Sequence, residues 1–240
     1  MNRFRIALVL ILLAAVGLAG CGHGKKGKAQ VWVTRDRGAT VLDRGDVPAG
    51  LTALQGLDRI AGIETGYGGA FVNEIDGVAG SRTRQRDWFF FVNGYEADRG
   101  AASYRLRSGD VEWWDYRSWR GAERVPVVVG AFPEPFLHGY DGKRRAAAVR
   151  FGSGLRSEAY ALAKIVHARS VAAIGKPVAS ALNLLVVTAG RSGVVAQLRG
   201  GEQAGDPVRF VVSGRAFARS LARDPGLVRH RYQAAEWSLS

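Results

Sequence analysis

Through the first half of the chain, apolar and polar positions alternate in short runs broken by turn residues. The stretch "QVWVTRDRGATVLDRGDV" predicts two strands around Asp36-Arg37-Gly38. Beyond Pro48 the period changes. In "GLTALQGLDRIAG", Leu51, Leu54, Leu57 and Ile60 recur every three residues, which predicts a helix of about three turns stopped by Gly62. "GAFVNEIDGVAG", "DWFFFVNGYEA" and "GDVEWWDYRSW" then predict a third, fourth and fifth strand. Asn93-Gly94 follows a run of aromatic residues and marks a tight hairpin, because both central residues of a type I′ turn need positive φ.

The order β-β-α-β-β-β packs as a mixed sheet with the helix across one face, a β-grasp arrangement. Alternation sends Trp88, Phe90 and Val92 to one face of the fourth strand and Phe89 and Phe91 to the other. One row packs under the helix. The other needs a cover, from another part of the protein or from a partner. From about Val125 the pattern changes. "VPVVVGAFPEPF" predicts an apolar strand ended by prolines, and "AAAVRFGS" a further strand. "LRSEAYALAKIVHARSVAAIG" predicts a long helix with Leu155, Ala159, Leu162, Ala163 and Val166 on one face. "LNLLVVTAG", "GVVAQLRG" and "DPVRFVVSG" predict strands, and "RAFARSLARDPG" a helix that Asp224-Pro225-Gly226 stops. The fold class is therefore α+β. A β-grasp-like mixed sheet with one helix is expected over residues 31–119, and a second small α+β or α/β domain over residues 125–240.

The N-terminus reads differently. Arg3 and Arg5 precede an apolar run from Ile6 to Leu18, and Leu18-Ala19-Gly20-Cys21 closes it. A charged start, a short apolar stretch and small residues before a cut make a secretory signal over residues 1–20. The segment resembles the lipobox of bacterial lipoproteins, which implies a lipid on Cys21, the only cysteine, and an export to the outer face of the cell membrane. Residues 21–30 then form a basic linker. With Cys21 lipidated, disulfides, a CxxC redox pair and thiolate metal sites within the chain are excluded. An apolar core must hold the fold, and 47% hydrophobic residues over 240 positions supply one.

The net charge of +13 comes mostly from scattered arginines. Lys25, Lys26 and Lys28 follow the anchor, where each adds ~1 kcal/mol of attraction to an anionic bilayer. Export argues against nucleic acid as the partner. Known catalytic patterns are missing: the chain has no H-E-x-x-H, no G-x-x-x-x-G-K-[ST] and no G-x-S-x-G. "GYGGAF", "FGSGLRSE" and "GRSGVV" read as turns. Of the four histidines, only His138 has carboxylates nearby, Glu134 and Asp141 in "FPEPFLHGYDG". That loop offers metal or acid–base chemistry, against the simpler reading of a solvated connector. His167 is expected to pack beside the apolar face of the long helix.

The aromatics are the stronger signal. Trp113, Trp114, Tyr116 and Trp119 crowd one strand, and Tyr95 leaves the facing turn. Trp114 and Tyr116 share a face, opposite Trp113 and Asp115. Tyr95, Trp114, Tyr116 and Trp119, with Asp115 as a polar hook, are the candidate ligand residues; core or domain-interface packing is the competing reading.

"GGAFVNEIDGV", "WFFFVNG" and "YRLRSGDVEWWDY" carry a resemblance to a known family. The hairpin follows a W-x-x-x-V-N-G pattern, and Gly109-Asp110 precedes the tryptophans of the closing strand. Residues Val31 to Trp119 resemble the DUF4430 domain, which is similar to the C-terminal β-domain of the transcobalamin and intrinsic factor group. The resemblance implies a β-grasp fold and small-molecule capture, with cobalamin or a related corrinoid as candidate ligand and a membrane transporter as candidate partner. No catalytic residue, metal ligand or bound cofactor is expected. Two other functions compete: a module docking envelope proteins or anionic wall polymers, and a hydrolase around His138.

Overall fold

The structure is a computed structural model that describes residues 27–69 and 71–235. The basic linker's start and Cys21 lie outside the described residues. The chain runs β1 (Lys28–Arg35), β2 (Thr40–Pro48), α1 (Ala53–Leu57), β3 (Ile63–Gly66), β4 (Phe71–Ile75), β5 (Val78–Ala79), β6 (Arg86–Val92), β7 (Tyr95–Glu96) and β8 (Val111–Ser118). It continues through α2 (Glu134–Leu137), β9 (Ala147–Phe151), α3 (Arg156–Ile165), β10 (Ala168–Ala173), β11 (Asn183–Thr188), β12 (Gly193–Leu198), β13 (Val208–Ser213), α4 (Arg215–Arg223) and β14 (Ala234–Ala235). The fold is α+β.

The first sheet has the order β2-β1-β8-β6-β7. Its two central strands, β1 and β8, are parallel, and the other pairings are antiparallel. That is the β-grasp order expected from the sequence. A strand at the centre of such a sheet is covered on both faces, and β8 is buried from Val111 to Arg117. The Asn93-Gly94 turn has both φ values positive, 51° and 83°. Asn93 also works as a bolt. Its buried amide receives the Val111 N–H and donates to Asp110 Oδ1 and to the Gly139 carbonyl.

The helix is shorter than its leucine spacing predicts. Thr52 and Gln55 form a reciprocal capping box at its start. The regular helix ends at Leu57, capped by Asp58. Arg59 and Ile60 follow in tight turns, and Asp76 Oδ1 captures the Gly62 N–H at 2.8 Å. Gly56 lets the helix lie close on the sheet: a Cβ there would sit 2.7 Å from Glu112 Oε2 and 2.8 Å from Leu106. The expected third strand is a hairpin. Asp76-Gly77 turns β4 into β5, and β3 pairs with β4 to make a three-stranded arm beside β6.

The second sheet has the order β10-β9-β11-β13-β12-β14, with β9, β10, β11 and β13 parallel. Helices α3 and α4 pack against each other and bury Leu162, Phe217 and Leu221. Two expectations fail here. The segment after Val125 is an irregular connector: one antiparallel bridge joins Val127 to Tyr95 of the two-residue β7, and Gly94 and Tyr232 take the Val128 and Val129 N–H groups singly. The long helix ends at Ile165. His167 turns the chain with φ of 49° and lies exposed, so the residues after it form strand β10 instead.

The connector packs Phe132 and Phe136 on Phe210 of β13, with ring centroids 5.9 and 5.1 Å apart. One apolar cluster runs from the first sheet through Tyr95 and Tyr140 into the second. The row of β6 that needed a cover finds it in the chain itself. Tyr232, Val128 and Ala131 close over Trp32, Phe91 and Trp113.

Candidate ligand-binding cleft

The structure separates the aromatic residues that the sequence grouped. Trp114 and Tyr116 lie on the helix side of the first sheet, stacked on Phe90 and packed on Trp88, with centroid distances of 4.8 and 5.2 Å. Both are buried, and their polar ends bond to the protein. Trp114 Nε1 donates to Glu112, and Tyr116 Oη donates to the Ala79 carbonyl of the arm. Trp88 Nε1 donates to the Val78 carbonyl, so these two bonds pin the arm to the sheet.

Asp115 is on the opposite face and fully buried. It accepts from Thr34 Oγ1 at 2.6 Å, from the Arg37 and Gly38 backbone N–H groups at 3.1 and 3.0 Å, and from Tyr232 Oη at 3.0 Å. Its lone pairs tie the β1–β2 turn and the C-terminal segment to β8. Tyr95 is buried between the two sheets and donates to the Asp206 carbonyl. Four of the five candidate residues are thus enclosed by protein. Only Trp119 lines an open cavity.

That cavity sits at the outer edge of β6. Strand β7 pairs with β6 only at Phe91 and Val92, and a single bridge joins Ser81 to Arg86. Between these points, among the described residues, the Phe90 carbonyl takes the Ala97 N–H but no strand pairs with the edge, and a cleft of about 380 Å³ opens there. Side chains from both faces of β6 reach it: Trp88 and Phe90 from one, Phe89 from the other. Trp119 stands on the rim where β8 ends, and Phe71 crosses from the arm. Phe71 is 47% exposed and meets Tyr67, itself 86% exposed, edge to face at 6.4 Å. Asp87, Glu96 and Glu123 face the cleft with one cation, Arg82. Burial pushes the Asp87 and Glu96 carboxyls up; Trp88 N–H opposes it at Asp87 and Val125 N–H at Glu96. The sequence analysis missed Phe71, Asp87 and Glu96. The signal was there in the brevity of "YE" after the hairpin, which leaves the edge of "DWFF" bare.

The His138 loop does not assemble its three groups. Nδ1 of His138 bonds to Glu134, but Asp141 is held away by Arg99 and Arg107 at 3.3 and 3.0 Å. Among the described residues, no set of three His, Cys, Asp or Glu side chains converges as for a metal.

Residues 50–118 match the family described as "Domain of unknown function (DUF4430)". The match begins after β2, so β1 and β2 complete the sheet from outside it. A crystal structure of a Ruminococcus gnavus protein, described as a candidate metal-binding protein, aligns over 38% of this chain and 97% of its own, with 16% identity and a TM-score of 0.32. Haptocorrin in complex with Cbi aligns over 38% of this chain and 26% of its own, with 17% identity and a TM-score of 0.31, so the chain spans about a quarter of that protein. No curated protein matches. Through residues 50–118, this chain matches the DUF4430 family.

Proposed function

We propose that this chain is a lipid-anchored envelope protein that captures a small organic ligand in the β6 edge cleft. One observation carries the reading: five aromatic side chains, Phe71, Trp88, Phe89, Phe90 and Trp119, gather around a volume of about 380 Å³, whereas Trp113, Trp114 and Tyr116 of the central strand are enclosed. Sites for drug-sized ligands are concave, mostly apolar and roughly 300–1,000 Å³. The reading is of a binding protein without catalysis, since the cleft brings together rings and carboxylates but no nucleophile with a base. A lipid on Cys21 would hold it at the outer face of the membrane, with residues 31–119 and 125–240 as its two domains, placed to pass ligand to a transporter. A corrinoid is a candidate, though it would overhang a space of this size.

Native mass spectrometry of the soluble protein from its own host tests this reading. A retained small organic mass supports it. A bare protein that also ignores added cobinamide would sink it. The same spectra of membrane-extracted protein should show a lipid on Cys21 that Cys21→Ala removes.

A second reading has its own observation. Arg215, Arg219 and Arg223 form a stripe on α4, beside exposed Arg156 and Lys164 on α3. Glu158, the buried acid between the helices, is taken by Arg215 and Arg219. This face suits docking on anionic lipids or wall polymers.

A further inference from the structure

The chain has 34 Lys and Arg against 21 Asp and Glu, and the cleft runs against that balance, with Asp87, Glu96 and Glu123 lining it beside one cation, Arg82. Glu96 has Arg117 behind it at 3.9 Å, and its other oxygen receives the Val125 N–H. Asp98, Asp141 and Asp206 all pair with arginines. Asp87 makes no ion pair among the described residues, and its one hydrogen bond is from the Trp88 N–H to Oδ1. It is only half exposed and lies in the cleft among Phe71, Trp88, Phe89 and Phe90.

Asp87 loses hydration here and touches no cation, Arg82 attracting it only from a distance, so further positive charge in the cleft is favourable. Aromatic ring faces attract cations as well. The protein itself shows that preference at this strand, where the Arg117 guanidinium sits 3.6 Å from the Phe89 ring centre on a protein-filled side.

We propose that the cleft selects organic cations, molecules with a flat apolar body and a protonated amine that meets Asp87. This rests on the reading of the cleft as a ligand site and names the ligand's chemical class. The rings take the body and Asp87 takes the charge. Arg82, exposed at the rim, opposes the cation and sets a limit on affinity.

Three probes of one shape separate the possibilities: phenethylammonium, 2-phenylethanol and 3-phenylpropionate, titrated into the full chain by ligand-observed NMR. The ammonium should bind on the order of tenfold more tightly than the alcohol, as a partly desolvated ion pair allows, and the carboxylate weakest. Asp87→Asn keeps an acceptor for the Trp88 N–H and should close the gap between ammonium and alcohol. Arg82→Ala, a change at an exposed residue, should widen it, and it serves if Asp87→Asn fails to fold. Equal binding of ammonium and alcohol, both lost in Trp119→Ala, would overturn the cation preference and leave the cleft as a ligand site. Binding of no probe, or binding unchanged in Trp119→Ala, would overturn both.

Discussion

Behind the β6–β8 pair, Trp32, Phe91 and Trp113 lie sealed under Tyr232. At the outer edge of the same pair, Phe89, Phe90 and Trp119 border a cleft. The two regions use the same residue types, on the same strands, to opposite ends. What separates them is the fate of the polar groups. In the sealed region Trp113 Nε1 donates to Thr34, Thr34 donates to Asp115, and Asp115 accepts two backbone N–H groups and Tyr232. Every link is internal. At the edge, Asp87 keeps an oxygen without a protein partner among the described residues. Aromatic density marks neither region by itself; the carboxylates do, since both Asp115 oxygens are taken by the protein and one Asp87 oxygen is not.

The largest effect is expected in the sealed region. Trp113→Ala empties a fully buried site and should cost ~3–5 kcal/mol, read by chemical denaturation. Trp114→Ala, on the helix side, should fall in the same range, and a loss under ~1 kcal/mol in either would break the comparison. Asp115→Ala leaves Thr34, Arg37, Gly38 and Tyr232 donors without an acceptor. Unsatisfied buried donors cost ~1–3 kcal/mol each, with strong overlap, so a loss of ~3 kcal/mol is expected.

Much of this was legible in the sequence. The Asn-Gly turn, the opening strand-strand-helix order and the facing of each β6 residue follow from turn chemistry and two-residue alternation, which are local, while the third expected strand left the sheet for the arm. The failures were non-local. Nothing in "LRSEAYALAKIVHARSVAAIG" shows that β9 offers a parallel edge for Ala168–Ala173, so the apolar period ran past His167. "VPVVV" has strand composition, but only the short β7 segment and Tyr232 lie within bonding reach, so it makes one bridge, Val127 to Tyr95, and no strand. The candidate site erred for a related reason. Trp114, Tyr116 and Asp115 carry the groups a ligand would want, and the arm, Glu112 and the C-terminal segment reach those groups first.

The sealed region should also report pH. His230 packs edge-on to Trp32 at 4.7 Å, and burial, with Arg229, Arg44 and Arg231 nearby, lowers its pKa to about 4. An unfolded histidine titrates near ~6.5. A lowered value means the neutral ring is favoured in the fold, so its stabilisation is complete above that pH and is lost as the pH falls from ~6.5 to about 4. The melting difference between wild type and His230→Asn should shrink across that window. A constant difference would mean the ring is not held neutral.

The smallest effect on stability belongs to the cleft. Phe71→Ala removes a side chain that is 47% exposed and should change stability by no more than ~0.5 kcal/mol. The most direct test of the cleft is Trp119→Ala, purified from the host beside wild type and compared by thermal melting and native mass spectrometry. The expected result is a fold that melts within a few degrees of ligand-free wild type, at a cost of ~1 kcal/mol or less, and a spectrum without the retained small molecule. Retention of the same mass, or a collapse in melting as deep as that of Trp113→Ala, would contradict it.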